Sequence, residues 1–308
     1  MANVNTTIEW TDKTWSPITG CTKVSPGCLN CYAETIAKRF QHDGPFVPWT
    51  VAAQRAARPQ EGVPTGLGYQ PITLHADRMN APLHWRKPSR VFVNSVSDLF
   101  HEDVPEQFIA QCFGVMLSCP QHTFQVLTKR PERMQAFMTG YWADHFKDVS
   151  GFGVWPPPNV WLGVSVENQR YANERIPILA QVPAAVRFLS CEPLLGPVNL
   201  GSWIRHYPGG PAPISWCICG GESGPHARPM DLAWARGIVA QCREAGVACF
   251  VKQLGAHPYD AMPLFDWTGQ ATGNVRQDDW LMKSGKGGDM SEWPEDLRIR
   301  QFPQEAKL

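Results

Sequence analysis

The sequence predicts an α/β protein organised as a (β/α) barrel, full or partial. Three observations carry that expectation. Short apolar runs recur along the chain, at residues 72–75, 91–96, 123–128, 160–166, 186–190, 214–219 and 248–252. Most are unalternated, as strands buried on both faces are. Helical or loop stretches separate them, and strand–helix alternation at this spacing favours a parallel sheet with right-handed crossovers. With an earlier strand expected within 7–15, the total is about eight, the number that closes a barrel. An open doubly wound sheet is the competing arrangement.

Each intervening helix has its own signal. A helix over 33–40 follows a cysteine-rich loop. The stretch 105–117 opens with Pro105 and carries Phe108, Cys112 and Val115 on one stripe. A helix over 131–138 follows a strand directly. For 231–245, Asp231 is a suitable N-cap and Gly246 suits the residue just past the end. Two regions break the rhythm. Residues 41–70 form a Pro- and Gly-containing insertion. From residue 256 the chain is rich in Gly, Asp and Trp without periodicity. The expected division is therefore a barrel over 1–255 and an irregular C-terminal cap over 256–308, with a small hairpin at 274–283.

The chain has 308 residues, enough to bury a large core. Lys plus Arg is 28 and Asp plus Glu is 28, so the formal charge is zero. That argues against nucleic-acid binding by bulk electrostatics alone, though a local basic groove is compatible with it. The first ten residues are polar and read as no signal peptide. No apolar run approaches the roughly 20 residues that span a bilayer. A cytoplasmic protein without membrane attachment is expected. In that compartment thiols stay reduced, and clustered cysteines read first as metal ligands.

Among ten cysteines, three stand together in Gly20-Cys21-Thr22-Lys23-Val24-Ser25-Pro26-Gly27-Cys28-Leu29-Asn30-Cys31-Tyr32-Ala33. The spacing is C-x6-C-x2-C. Ser25, Pro26 and Gly27 let the backbone wrap a compact object. The C-x2-C step brings two thiolates close, as zinc and iron–sulfur sites require. Structural zinc normally takes four protein ligands, and no nearby His or Cys supplies an obvious fourth. A [4Fe-4S] cluster on Cys21, Cys28 and Cys31 keeps one iron open, which a radical S-adenosylmethionine (SAM) enzyme uses to chelate SAM. Zinc, a cluster without SAM chemistry and unliganded thiols remain the alternatives.

Further segments accompany the loop: 7–17, Asn94-Ser95-Val96-Ser97-Asp98-Leu99-Phe100, Leu127-Thr128-Lys129-Arg130-Pro131, Leu162-Gly163-Val164-Ser165-Val166-Glu167, Ser190-Cys191-Glu192-Pro193-Leu194 and Gly220-Gly221-Glu222-Ser223-Gly224. With the cysteine loop they resemble the phage-associated "gene product thirty-seven/sixty-eight" family, over about residues 7–253. The resemblance implies a distant radical SAM relative and a three-Cys-motif partner protein. Mainstream radical SAM enzymes use C-x3-C-x2-C with an aromatic before the third cysteine. Here the loop is three residues longer, Asn30 precedes Cys31 and Tyr32 follows it.

Chemistry in a barrel gathers at the strand ends. Those ends carry Asp98; Lys129 and Arg130; Ser165 with Glu167; Ser190 with Glu192; Gly220, Gly221 and Glu222; and Lys252 with Gln253. Glu167 or Glu192 is expected to accept from SAM ribose hydroxyls. Gly220 and Gly221 would admit a ligand close to the backbone, and Glu222 would hold its amino group. Lys129 and Arg130, at a helix start, suit phosphate or carboxylate. The implied activity is reductive cleavage of SAM by an external electron donor, then hydrogen abstraction that modifies or repairs a substrate. A nucleobase or nucleotide fits a phage-associated protein rich in Trp. The alternative is a non-catalytic, nucleic-acid-binding module in which zinc or the cluster is structural.

The other cysteines carry less weight. Cys112, Cys119, Cys242 and Cys249 read as small core residues. Cys191, Cys217 and Cys219 form a weaker candidate for a second metal site. Replacing Cys21, Cys28 or Cys31 by Ala should abolish bound iron, whereas Cys112→Ala should retain it. Iron analysis of anaerobically purified variants checks this, and full retention in Cys28→Ala would overturn the ligand set.

Overall fold

The structure, a computed structural model, describes residues 6–41, 70–149, 155–205, 213–265 and 271–303. The insertion expected at 41–70 falls almost wholly outside them. Twelve strands are described: β1 (Lys13–Trp15), β2 (Ile18–Cys21), β3 (Gln70–Leu74), β4 (Arg90–Val93), β5 (Thr123–Thr128), β6 (Val160–Ser165), β7 (Val186–Cys191), β8 (Trp216–Gly220), β9 (Met230–Asp231), β10 (Ala248–Gln253), β11 (Pro258–Phe265) and β12 (Ala271–Asp279). The helices are α1 (Tyr32–Gln41), α2 (Ala76–Met79), α3 (Glu106–Leu117), α4 (Pro131–Thr139), α5 (Tyr141–Val149), α6 (Gln169–Gln181) and α7 (Leu232–Ala245).

Seven strands form one sheet, in the order β1-β4-β5-β6-β7-β8-β10. Its strands pair in parallel, with Lys13 opposite Val91, Phe124 opposite Val160 and Cys249 opposite Cys217. The order is open, with β1 and β10 at its ends. This mixed α/β architecture agrees with a partial (β/α) barrel and not with a closed one. The run at 72–75 does not join the sheet: its strand, β3, pairs antiparallel with β2, Ile18 opposite Leu74.

The chain divides into two compact units. The first holds residues up to Val164 and Pro177–Arg187. The second holds Ser165–Ile176 and Phe188–Glu305. The C-terminal extension, expected to pack on the barrel and not to be a domain of its own, falls within the second unit. Residues after 255 are tied into the second unit by backbone bonds: Val251 N donates to Ile299 O (2.8 Å) and Leu254 N to Gly287 O (2.9 Å). Trp293 is 1% exposed. Nor is the segment irregular: β11 and β12 form an antiparallel pair, and β9 pairs with β11. The hairpin therefore lies at 258–279, not 274–283. Pro258, Pro263 and the polar run at 276–279 hid both strands from a search for apolar periodicity.

In the first unit, α3 buries Phe108, Ile109, Cys112, Phe113, Val115 and Met116. In the second, the capping expectation for α7 holds. The Asp231 side chain accepts from Ala233 N at 2.9 Å, and Gly246 adopts φ +68°. Helix α6 holds Pro177 in its interior, a position that disfavours a helix. No helix among the described residues is long and apolar enough to cross a membrane.

Glycines end β8 for a packing reason. A Cβ on Gly220 would meet Gln253 O at 2.9 Å, and one on Gly221 would clash with Leu254 O. The backbone of β10's exit occupies that space, so these glycines accommodate the chain itself. Urea denaturation should therefore show Gly221→Ala destabilised by about 1–3 kcal/mol, and Asp231→Ala by about 1 kcal/mol. Wild-type stability in Gly221→Ala would overturn the packing account.

Candidate functional site

The cysteine loop belongs to the first unit and joins β2 to α1. Its start needs an unusual backbone: Gly20 has φ +93°, a conformation that disfavours any side chain. The loop then tightens into a 3-10 turn over Pro26–Cys28. Cys28 N donates to Ser25 O (2.9 Å), Leu29 N to Pro26 O (3.1 Å) and Glu34 N to Cys31 O (3.1 Å). Ser25 is fully buried, and its hydroxyl lies 3.7 Å from Cys28 Sγ. Lys23 spans the loop, donating to Leu29 O (3.2 Å) and pairing with Glu34 (2.9 Å). The Tyr32 hydroxyl donates to Ser95 O.

Behind the loop, Asp98 is 5% exposed and surrounded by donors. Its Oδ1 accepts from Phe100 N (3.0 Å) and Thr128 Oγ1 (2.7 Å). Its Oδ2 accepts from Lys129 N (3.1 Å) and Arg130 Nη1 (3.0 Å). Arg130 then reaches the loop, donating through Nη2 to Thr22 Oγ1 (2.7 Å) and Thr22 O (3.3 Å). Its positive charge also acts on Cys21. Cys21 Sγ donates to Thr22 O at 3.5 Å. Of the residues expected at strand ends in this unit, Asp98 and Arg130 are thus brought to Cys21, and the Lys129 charge acts on Cys31.

The three thiols feel one another. Burial pushes Cys21 up to about 12. Arg130 opposes that shift, while Asp98, Cys28 and Cys31 add to it. Burial also raises Cys31. Three soft donors on one loop, beside two cations, suit a thiolate-held metal or cluster. Their arrangement is not a closed ligand set: among the described residues, no group of three or more His, Cys, Asp or Glu side chains has metal-holding geometry.

In the second unit each expected carboxylate has a cation. Glu167 is fully buried against Arg175 (3.0 Å), which lies over the Tyr171 ring. Glu222 is held by Arg228 in a two-pronged pair, Nη2 to Oε1 at 2.7 Å and Nε to Oε2 at 2.9 Å. Glu192 meets Lys252 at 3.1 Å and accepts from Ser190 Oγ at 3.3 Å. Glu192 keeps 13% of its side chain exposed, more than the other two. Gly220 and Gly221 face the exit of β10, as described above.

Cys191, Cys217 and Cys219 do share one region, since Cys191 lies opposite Cys219 and Cys217 opposite Cys249. Cys242 from α7 lies near them, and Cys217 and Cys249 raise its thiol pKa. All five are buried. They form a satisfied thiol core, and the absence of metal-holding geometry among the described residues covers them too. Helical spacing concealed the part played by Cys242.

A family model described as a protein of unknown function (DUF5131) matches residues 5–288. No curated protein and no solved structure matches the chain.

The raised Cys21 thiol has a consequence for stability. In the unfolded chain it ionises near its ordinary 9.0, but in the fold it keeps its proton to about 12. Its contribution is therefore complete below about pH 9 and is lost as pH rises towards 12, by about 1.4 kcal/mol per unit. Denaturation of the reduced, metal-free protein between about pH 9 and 11 should show a shallower loss in Cys21→Ala than in wild type. Parallel curves would refute the shift.

Proposed function

We propose that this chain, which belongs to the DUF5131 family, binds an iron–sulfur cluster through Cys21, Cys28 and Cys31 and acts as a radical SAM enzyme. The observation that carries the proposal is selective exposure. Seven of the ten cysteines are buried as whole residues, and the three that are only partly so share one loop, where Cys28 adds to the burial that raises both Cys21 and Cys31. Ordinary core cysteines have no reason to gather at a surface turn. The open, parallel α/β sheet agrees with a partial barrel of the radical SAM kind, and the resemblance to the phage-associated three-cysteine family points the same way.

When bound, such a cluster supplies the electron that cleaves SAM and so starts hydrogen abstraction. The chain's own residues would do the rest. Arg130 and Lys129 place positive charge beside the thiolates. Gly20 and the turn at Pro26–Cys28 set the loop's path. Glu192, the least enclosed of the three strand-end carboxylates, is the best suited to a ligand hydroxyl or ammonium group. Glu167 and Glu222 shape the fold around their arginines. A nucleobase or nucleotide substrate, an electron donor and a three-Cys-motif partner protein complete the proposal, all from the resemblance.

SAM added to reduced, anaerobically reconstituted protein should alter the cluster's electron paramagnetic resonance signal and yield 5′-deoxyadenosine. An unchanged signal with no nucleoside would overturn the SAM reading in favour of a structural cluster. Colourless protein carrying stoichiometric zinc would overturn the cluster itself.

A further inference from the structure

The two halves of the cysteine motif are held in different ways. Only two residues separate Cys28 from Cys31, and Cys28 closes the hydrogen-bonded turn over Pro26–Cys28, so the short chain between them limits their spacing. Six residues separate Cys21 from Cys28. A connection of that length fixes little by itself, and Cys21 needs an anchor from elsewhere in the fold.

The anchor is visible around Thr22. Asp103 N donates to His101 Nδ1 at 3.1 Å, so that nitrogen carries no proton. His101 is fully buried, and burial lowers its pKa, which keeps the ring neutral. Its proton therefore sits on Nε2, which lies 2.8 Å from Thr22 Oγ1 and donates to it. Arg130 Nη2 donates to the same hydroxyl oxygen at 2.7 Å. The Thr22 hydroxyl is pinned between a guanidinium and an imidazole, and the Thr22 carbonyl accepts from both Arg130 and Cys21. Arg130 is itself fixed by Asp98.

We infer that Asp98, Arg130, Thr22 and His101 form a positioning network that fixes the chain beside Cys21, the cysteine farthest in sequence from the other two. This rests on the reading of the loop as a metal site. Arginine suits the task because its fork serves two partners at once, Asp98 through Nη1 and Thr22 through Nη2. The network also places the Arg130 positive charge where it acts on one sulfur of the three, so it bears on the electronic properties of the site as well as its shape.

The full-length protein, reduced and metal-free, is titrated with Zn2+ in competition with a chromophoric chelator. Arg130→Gln should weaken Zn2+ binding about ten- to a hundredfold, and Arg130→Lys should recover part of the loss. After reconstitution with iron, Arg130→Gln should have a more negative midpoint potential than wild type, a change that loop slackening alone would not produce. Unaltered affinity and potential in Arg130→Gln would overturn the inference. Where Arg130→Gln fails to fold, Thr22→Val, which removes only the hydroxyl, should weaken Zn2+ in the same direction, and unchanged binding there would count against the network. Should wild type bind neither metal, the metal reading fails separately. The positioning claim is then decided by amide hydrogen exchange at residues 20–23: faster exchange in Arg130→Gln supports it, and unchanged exchange refutes it.

Discussion

A buried carboxylate with four donors organises the first unit. Asp98 cannot stay charged at 5% exposure without partners, because the cost of taking an isolated carboxylate from water is several kcal/mol. The partners come from three places: Phe100 in its own turn, Thr128 at the end of β5, and Lys129 and Arg130 where α4 begins. Satisfying one side chain therefore ties the segment after β4 to the segment after β5. Arg130 carries the tie on to the segment after β2. The loop that holds Cys21 is in this sense part of the polar structure at the strand ends, although it is a surface turn by sequence.

The second unit repeats the logic with different partners. Glu167 finds Arg175 and Glu222 finds Arg228, each a few residues downstream, while Glu192 pairs with the distant Lys252. Zero net charge in the sequence thus conceals specific pairing in the interior. The pairs differ in what they leave available. A carboxylate at 0% exposure cannot touch a ligand without rearrangement, whereas Glu192 retains both surface and a flexible lysine partner.

Much of the sheet was legible because β5, β6, β7 and β10 are apolar runs bounded by polar residues. The cap residues Asp231 and Gly246 announced α7 for the same reason: their chemistry is local. What escaped notice depends on distance in the chain. Nothing near Gly221 reveals that Leu254 would fill the space beside it, so the glycine pair read as room for a ligand. Pro177 and Pro263 masked α6 and β11, where tertiary context overrides propensity. In the candidate site the three cysteines were legible from spacing alone. His101, which shows no metal spacing, entered through Thr22, 79 residues away.

The same contrast explains why ten cysteines divide as they do. A thiol is small and weakly polar, so burial costs it little and its pKa simply rises, as at Cys112 and Cys119. Cys219 and Cys242 rise for a further reason inside the second unit, because neighbouring buried thiols add to the effect. Such thiols need no function. The loop cysteines differ in being only partly buried as residues and gathered on one loop, and the guanidinium that a buried carboxylate engages there also acts on Cys21 by its charge. The ion pair of Asp98 and Arg130 fixes the chain next to Cys21 through Thr22, and a metal on this loop, as proposed, would draw the three sulfurs together around that fixed point.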